Sequence, residues 1–278
     1  MIECYTKTSI GYSHIKQNKV CQDYSECYKD DERNIISASD GHGGKIYIRS
    51  DKGSRFASLS IREIFKEIKY KNLEIFNDKI EENIKIKILC RWNEFVENDI
   101  LLNPFNEKEL NGLNSEEKEN LINNPEIAYG STLNAIMTLK DKLICVSIGD
   151  GGCLLIKDNK VEEVFESDDE NVANFTSSLC ETDAFNHIHI KVVSNLNLDG
   201  ALVFTDGFIN PFQNLDNLNH LFIEQFLKLD DEKRKENIEY FVNKMGTKIG
   251  IGDDVSLGIL WKKKDETKCA LDIKNKTL

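Results

Sequence analysis

Four apolar segments of this chain end at, or lead into, an aspartate that has glycine or a second aspartate beside it. They are Ile35–Ser39 before Asp40-Gly41, Cys145–Gly149 before Asp150-Gly151, Leu202–Thr205 before Asp206-Gly207, and Gly250–Gly252 before Asp253-Asp254, the last opening a strand instead of closing one. Asp23, after Cys21-Gln22, starts a further strand-like piece. A strand-terminal carboxylate next to glycine stands at a sheet edge, where the glycine lets backbone approach a ligand closely. Hard divalent ions such as Mg²⁺ and Mn²⁺ take such oxygens, carbonyls and waters as ligands. Two such ions about 3.5–4 Å apart can clamp a phosphoryl group and lower the pKa of a water until it serves as the nucleophile. Each Asp-Gly taken alone reads first as a turn, and Asp150-Gly151-Gly152 has the look of a hairpin. The pentapeptide Asp40-Gly41-His42-Gly43-Gly44 is different, since roughly one chain in ten thousand of this length would carry it by chance at average composition.

The elements that must hold these carboxylates are mostly strands. Period-two or apolar runs occur at Ile2–Ser9, Asp23–Tyr28, Asn34–Asp40, Ser131–Leu139, Lys142–Gly149, Gly152–Lys157, Lys160–Glu166, Ile188–Val193, Ala201–Asp206 and Val255–Trp261. From Gly53 the period turns helical, with Phe56, Leu59, Ile64, Phe65 and Ile68 on one face. Ile80, Ile84, Ile88, Trp92 and Phe95 or Val96 make a second stripe, read as core. Residues 103–128 are polar and read as a loop with a short helix, while 214–246 hold two more helical patterns around His220–Leu229 and Glu236–Met245. Strands in runs with segregated helices indicate an α+β fold of antiparallel sheets covered by helices. The strict alternation of a dinucleotide-binding fold is missing.

The 278 residues suit one large domain. With 36 Lys plus Arg against 48 Asp plus Glu, the net charge is −12, which disfavours nucleic-acid binding. No apolar run approaches the roughly 18 residues of a membrane span, and no signal peptide is evident at Met1–His14. Eight cysteines without a C-x-x-C pair read as reduced core residues of a cytoplasmic protein, Cys90 and Cys145 among them. His187 and His189 alternate in a strand-like run and read as exposed strand histidines rather than a metal pair, because no second ligand cluster is near them in sequence.

The string DGHGG after an apolar strand resembles the signature of the metal-dependent protein serine/threonine phosphatases of type 2C. Further elements follow in order: Cys21–Asp23 (CQD), Gly130–Thr132 (GST), Ile148–Gly152 (IGDGG), Thr205–Gly207 (TDG) and Gly252–Ser256 (GDDVS). Gly11–His14 (GYSH), Arg49–Ala57 (RSDKGSRFA) and Glu170–Thr176 (ENVANFT) resemble the bacterial branch. The resemblance implies a four-layer α-β-β-α sandwich, with residues 1–262 as the phosphatase domain and 263–278 as a polar tail. It implies a site of two Mn²⁺ or Mg²⁺ ions per chain, with a third and weaker one. Asp40 would bridge both ions, the Gly41 carbonyl would hold one, Asp206 and Asp253 would complete the direct ligands, and Asp23 would hold a metal directly or through water. Asp150 matches the third position, and His42 the proposed general acid.

The family's phosphate-gripping Arg is absent, because Asn18 stands at that position and no Arg precedes Asp23. His14, Lys16 and Lys19 are the cations at hand, and Lys lacks the bidentate fork of Arg. His14 and Lys16 are therefore the substrate-binding candidates, together with Asn174 and Thr176 in a flap over 168–176. The implied activity is hydrolysis of phosphoserine and phosphothreonine in proteins by a metal-bound water or hydroxide. A binding module on the same fold, or a phosphohydrolase for small molecules, is the alternative. A separate kinase, a phosphorylated protein substrate, a monomeric state and no membrane or nucleic-acid partner complete the expectation.

Overall fold

A computed structural model describes residues 1–165, 176–194, 197–210, 212 and 221–263. Its strands are β1 (Ile2–Ser9), β2 (Tyr24–Lys29), β3 (Arg33–Ser39), β4 (Leu133–Leu139), β5 (Lys142–Ile148), β6 (Gly152–Lys157), β7 (Lys160–Glu163), β8 (His189–Ser194), β9 (Leu198–Phe204) and β10 (Val255–Lys262). Two five-stranded antiparallel sheets result, one ordered β1-β10-β9-β6-β7 and the other β2-β3-β4-β5-β8. The ten expected strands are therefore present, in an α+β sandwich.

Side chains alternate between the faces of each sheet. On β3 and β4, Ile35, Ala135 and Met137 face the helices, while Ile36 and Ile136 face the other sheet, beside Cys153, Leu155, Val203 and Leu260. The helical layer over the second sheet is α2 (Ser50–Glu67) and α4 (Asp78–Leu102). Of the expected stripes, Ile64, Phe65, Ile68, Ile84, Ile88 and Trp92 are buried, Phe56 and Leu59 are half-buried, and Ile61 joins the buried face. Truncating a side chain such as Trp92 to Ala would cost about 3–5 kcal/mol. Gly53 allows α2 to lie directly on the chain entering β4, because a Cβ there would sit 1.8 Å from the Tyr129 carbonyl oxygen. Trp92 Nε1 donates to the Gly53 carbonyl at 3.2 Å and ties α4 to the same point. Asn77 caps α4 by accepting from the Ile80 amide. The other outer face is covered by a π-helical segment (Leu221–Leu227) and the helix Asp231–Met245, around Phe208, Phe222, Phe226 and Trp261.

Shorter elements complete the chain: α1 (Tyr12–Gln17), α3 (Tyr70–Glu74), α5 (Ser115–Asn123), α6 (Ala184–His187) and α7 (Asp206–Ile209). Two expectations are corrected here, and one helix is new: Tyr12–Gln17, whose six residues are too few to show a period. His187 closes the one-turn α6 instead of lying on a strand. Cys90 is exposed on α4, while Cys145 and Cys153 do occupy the core. No described helix is long and apolar enough to cross a membrane.

Candidate active site

Antiparallel pairing gathers the aspartates at one end of the sandwich. Tyr24 pairs with Ser39, so Asp23 before β2 stands beside Asp40 after β3. Leu257 and Gly152 both pair with Phe204, which brings Asp206, the Asp253-Asp254 turn and Asp150 to the same edge. A cavity of about 270 Å³ opens there, lined by Asp23, Asp40, Gly41, Asp206, Asp253 and Asp254 together with Ser13, His14, Gln17, Gln22 and Gly43. Among the described residues its lining contains no Lys or Arg.

Backbone and hydroxyl hydrogen bonds hold Asp23, Asp40 and Gly41 in place. The Asp40 amide donates to Thr132 Oγ1 at 2.9 Å, and the Thr132 amide donates back to the Asp40 carbonyl at 2.9 Å. Gly41 is wedged between the approach to β2 and the start of α2: its amide donates to the Gln22 carbonyl at 3.1 Å, and a Cβ would meet the Ser50 carbonyl oxygen at 2.4 Å. Only glycine places its carbonyl here. Asp23, 6% exposed, accepts from Thr205 Oγ1 at 2.7 Å and shares a hydrogen bond with the Asp40 carboxyl.

Burial and crowding set the electrostatics. Burial pushes Asp23 up to about 8, against the hydrogen bond from Thr205. Asp40 lies well above the usual carboxylate range through burial and the charges of Asp23 and Asp206. Burial and then the Asp150 and Asp253 charges raise Asp206 to about 6. Carboxylates pushed this way lack a cation. Gln22 adds a buried Oε1 that has no hydrogen-bond partner among the described residues, while its Nε2 donates to the His42 carbonyl and to Ser50 Oγ. An all-oxygen donor set with uncompensated charge fits hard divalent ions.

The remaining candidates divide. His14 is buried and lines the cavity, with Nδ1 2.8 Å from Asp254 Oδ2. Lys16 is exposed on α1, outside the lining. His42 is also outside it; its ring lies 4.9 Å from the Tyr47 ring, and burial holds the imidazole below the usual histidine range. Asp150 is exposed and accepts from Thr176 Oγ1 at 2.6 Å. Asn174 lies outside the described residues. His187 has partners that the sequence reading did not find: its Nε2 is 3.2 Å from Asp183 Oδ2, and the ligand atoms of Glu181, Asp183 and His187 lie within 4.8 Å of one another.

Asp254 is the residue that sequence reasoning missed. It is 4% exposed and accepts from the Gly11 amide (2.6 Å), the Gln22 amide (2.6 Å) and His14. It therefore fastens the β1–α1 turn and the approach to β2 onto the Asp253 turn. The doubled Asp was the available signal, but its partners stand more than 230 positions away.

The protein phosphatase 2C family model matches residues 10–243. No curated protein sequence is significantly similar to the chain. Among solved structures it resembles PppA, a regulatory component of the type VI secretion system in Pseudomonas aeruginosa, at 15% identity and TM-score 0.60, covering 94% of this chain and 97% of that one. Serine/threonine phosphatase Stp1 from Staphylococcus aureus aligns at 11% identity and TM-score 0.58, over 95% and 96% of the two chains. The catalytic domain of the serine/threonine phosphatase PstP, solved with two manganese ions, aligns at 13% identity and TM-score 0.55, over 94% and 97%. The chain belongs to the protein phosphatase 2C family, the family of metal-dependent serine/threonine phosphatases.

Proposed function

We propose that this member of the protein phosphatase 2C family hydrolyses phosphoserine and phosphothreonine in protein substrates, opposite a separate kinase. The observation that carries the reading is the Asp23–Asp40–Asp206 cluster, buried at Asp23 and half-buried at Asp40 and Asp206, raised by burial and mutual repulsion and facing a cavity with no Lys or Arg among its described lining residues. Asp40, the Gly41 carbonyl, Asp206 and Asp253 would hold two Mn²⁺ or Mg²⁺ ions, with Asp23 beside them and Asp150 serving a third. Bound there, such ions would neutralise phosphoryl oxygens and activate a water. The chain's own contribution is to exclude bulk water, keep the carboxylates in register and orient the substrate. His14, fixed by Asp254, takes the substrate-orienting place that Arg fills elsewhere in the family, and Thr176 steadies the segment beside Asp150. His42 is the proton donor to the leaving oxygen.

Release of phosphate from a phosphoserine peptide with Mn²⁺, measured beside phosphotyrosine and sugar-phosphate controls, tests the assignment. No turnover with any divalent ion would refute it, and preference for the sugar phosphate would move the substrate class. The His42 role has its own test. General acids contribute typically 10²–10⁴-fold, and a serine alkoxide needs the proton far more than p-nitrophenolate does. His42→Ala should slow the phosphopeptide much more than p-nitrophenyl phosphate; equal losses would remove the acid role and leave the phosphatase standing.

A further inference from the structure

Away from the acidic end, the two sheets meet along one side where β1 and β2, each an edge strand of its own sheet, run against each other. Stacked sheets ordinarily keep about 10 Å between them, too far for sulfur to bridge. Here the edges converge, with Cα atoms of β1 and β2 within 8 Å. Three contacts fix the alignment. Thr8 Oγ1 lies 2.8 Å from Ser25 Oγ, the Cys4 Sγ reaches the Tyr28 carbonyl at 3.9 Å, and Lys29 Nζ pairs with Glu3 Oε1 at 2.8 Å. Residues whose numbers sum to 32 or 33 thus oppose each other, which sets Cys4 against Tyr28 and leaves Cys27, the residue before it, as its diagonal neighbour across the seam. Their thiols are in hydrogen-bond contact, Cys27 exposed and Cys4 half-buried.

We propose that Cys4 and Cys27 form a peroxide-sensitive thiol pair that closes to an intramolecular disulfide, linking the two sheets at their converging edge. Hydrogen bonds from Cys4 and from Thr6 outweigh burial and lower the Cys27 thiol to about 6, so at neutral pH it is the attacking thiolate. Cys27 sulfur attacks a peroxide oxygen; the S–O bond forms, the O–O bond breaks, and hydroxide leaves to be protonated by solvent. Cys4 then gives its proton to solvent and attacks the Cys27 sulfur, forming S–S and expelling the sulfenic oxygen as water. In sum, two thiols and one hydrogen peroxide give one disulfide and two waters. Cys4 is raised first of all by its hydrogen bond to Cys27 and then by burial, so it is the second thiol to react. This site is independent of the phosphatase reading.

The test is peptide mapping of the full reduced chain after stoichiometric hydrogen peroxide, without reductant. Trypsin releases Cys4 in residues 1–7 and Cys27 in residues 20–29, a peptide that also holds Cys21, so fragmentation must place the link. The expected result is a Cys4–Cys27 link within one chain and the loss of two thiols. Cys4→Ser should leave a Cys27 sulfenic acid that dimedone traps, and Cys27→Ser should leave Cys4 unmodified. A link through Cys21, a link between chains, accumulation of oxidised Cys27 in the wild type without a link, or no reaction would each overturn the proposal. The wild-type map decides even if a variant fails to fold.

Discussion

Two regions of this molecule concentrate carboxylates in partly or fully buried surroundings, and they do opposite things to them. Around Arg49, 3% exposed, the guanidinium binds both oxygens of Glu109 at 2.7 and 2.9 Å and reaches Asp99 at 3.3 Å, while Lys52 and the Tyr129 hydroxyl also donate to Asp99. The Arg49 hydrogen bond is the largest influence on Glu109 and lowers it; burial works upward on Asp99, but its Lys52 and Tyr129 bonds lower it on balance. At the acidic end Asp23, Asp40 and Asp206 all rise. The protein completes the charge balance in one place and leaves it open in the other. A matched cluster is structure, and an unmatched one is a place for cations. The two are neighbours: the Arg49 amide donates to the Ala128 carbonyl, and the His42 amide to that of Gly130, so the balanced cluster backs the loop that carries Asp40 and His42.

The comparison breaks first if the unmatched carboxylates prove dispensable. Asp206→Ala and Asp40→Ala should lower turnover with saturating Mn²⁺ beyond the roughly 10–100-fold that loss of a ligand's supporting partner costs. In chelator, neither variant should melt below the wild type, because removing one carboxylate relieves repulsion. Retained turnover in Asp40→Ala would end its bridging role. The matched cluster should answer in the opposite currency. Arg49→Met leaves Glu109 and Asp99 short of a buried partner and should cost about 3–5 kcal/mol, roughly 10 °C in a melting scan. Adding Glu109→Gln should recover part of that loss, and Mn²⁺ should still raise the melting temperature of either variant. Additive losses would mean that the pair is not coupled.

How much of this could be read from residues alone differs between the two regions. Asp40, Asp150 and Asp206 declare themselves because each follows an apolar strand and precedes glycine, a local signal. The ten strands and the α2 and α4 stripes were legible for the same reason, their periods lying within one segment. Arg49, Asp99, Glu109 and Tyr129 carry no such signal; they are spread over 81 positions and meet only once α2, α4 and the chain before β4 have packed. Asp254 and Asp23 show the limit at closest range. Asp254 is spent on the amides of Gly11 and Gln22 and on His14, and nothing in the doublet Asp253-Asp254 tells which member is free. His187 misled for a related reason. The alternation His187-Ile188-His189 imitates a strand, whereas Asp183, one helical turn back, had already claimed the first histidine.

The pH dependence sharpens the contrast at a smaller scale. Asp23 moves up to about 8 and Asp206 to about 6, both above their unfolded value of 3.8. Between about pH 4 and 8 the folded, metal-free chain therefore keeps protons that the unfolded chain has released, and stability falls as pH rises. His42, lowered by burial, and Cys27, lowered to about 6 by its hydrogen bonds, pull the other way, but Asp23, Asp40 and Asp206 together outweigh them. In chelator the melting temperature should drop from pH 5.5 to pH 8. With Mn²⁺, which binds the ionised carboxylates, the slope should flatten or reverse. Equal slopes with and without the ion would mean that the acidic end is not where cations act.

The smallest expected effect lies at the border of the open cluster. Asp150 is exposed, stands outside the cavity lining and, among the described residues, receives a hydrogen bond from Thr176 Oγ1. Thr176 is the last residue of the proposed flap over 168–176, and this bond ties it to Asp150 at the acidic end. Its net worth is about 1 kcal/mol, which corresponds to about a fivefold change in rate or affinity. Thr176→Val keeps the shape of the side chain and removes only the donor. It should leave the melting temperature within about 2 °C of wild type, as surface substitutions usually do. Turnover should fall no more than about fivefold, with a matching rise in the Mn²⁺ concentration needed for half-maximal rate. Asp150→Ala should cost more, because it removes a carboxylate and not only its orientation. If Thr176→Val loses as much as Asp150→Ala, the threonine touches substrate directly; if both leave the rate unchanged, Asp150 returns to being a hairpin residue.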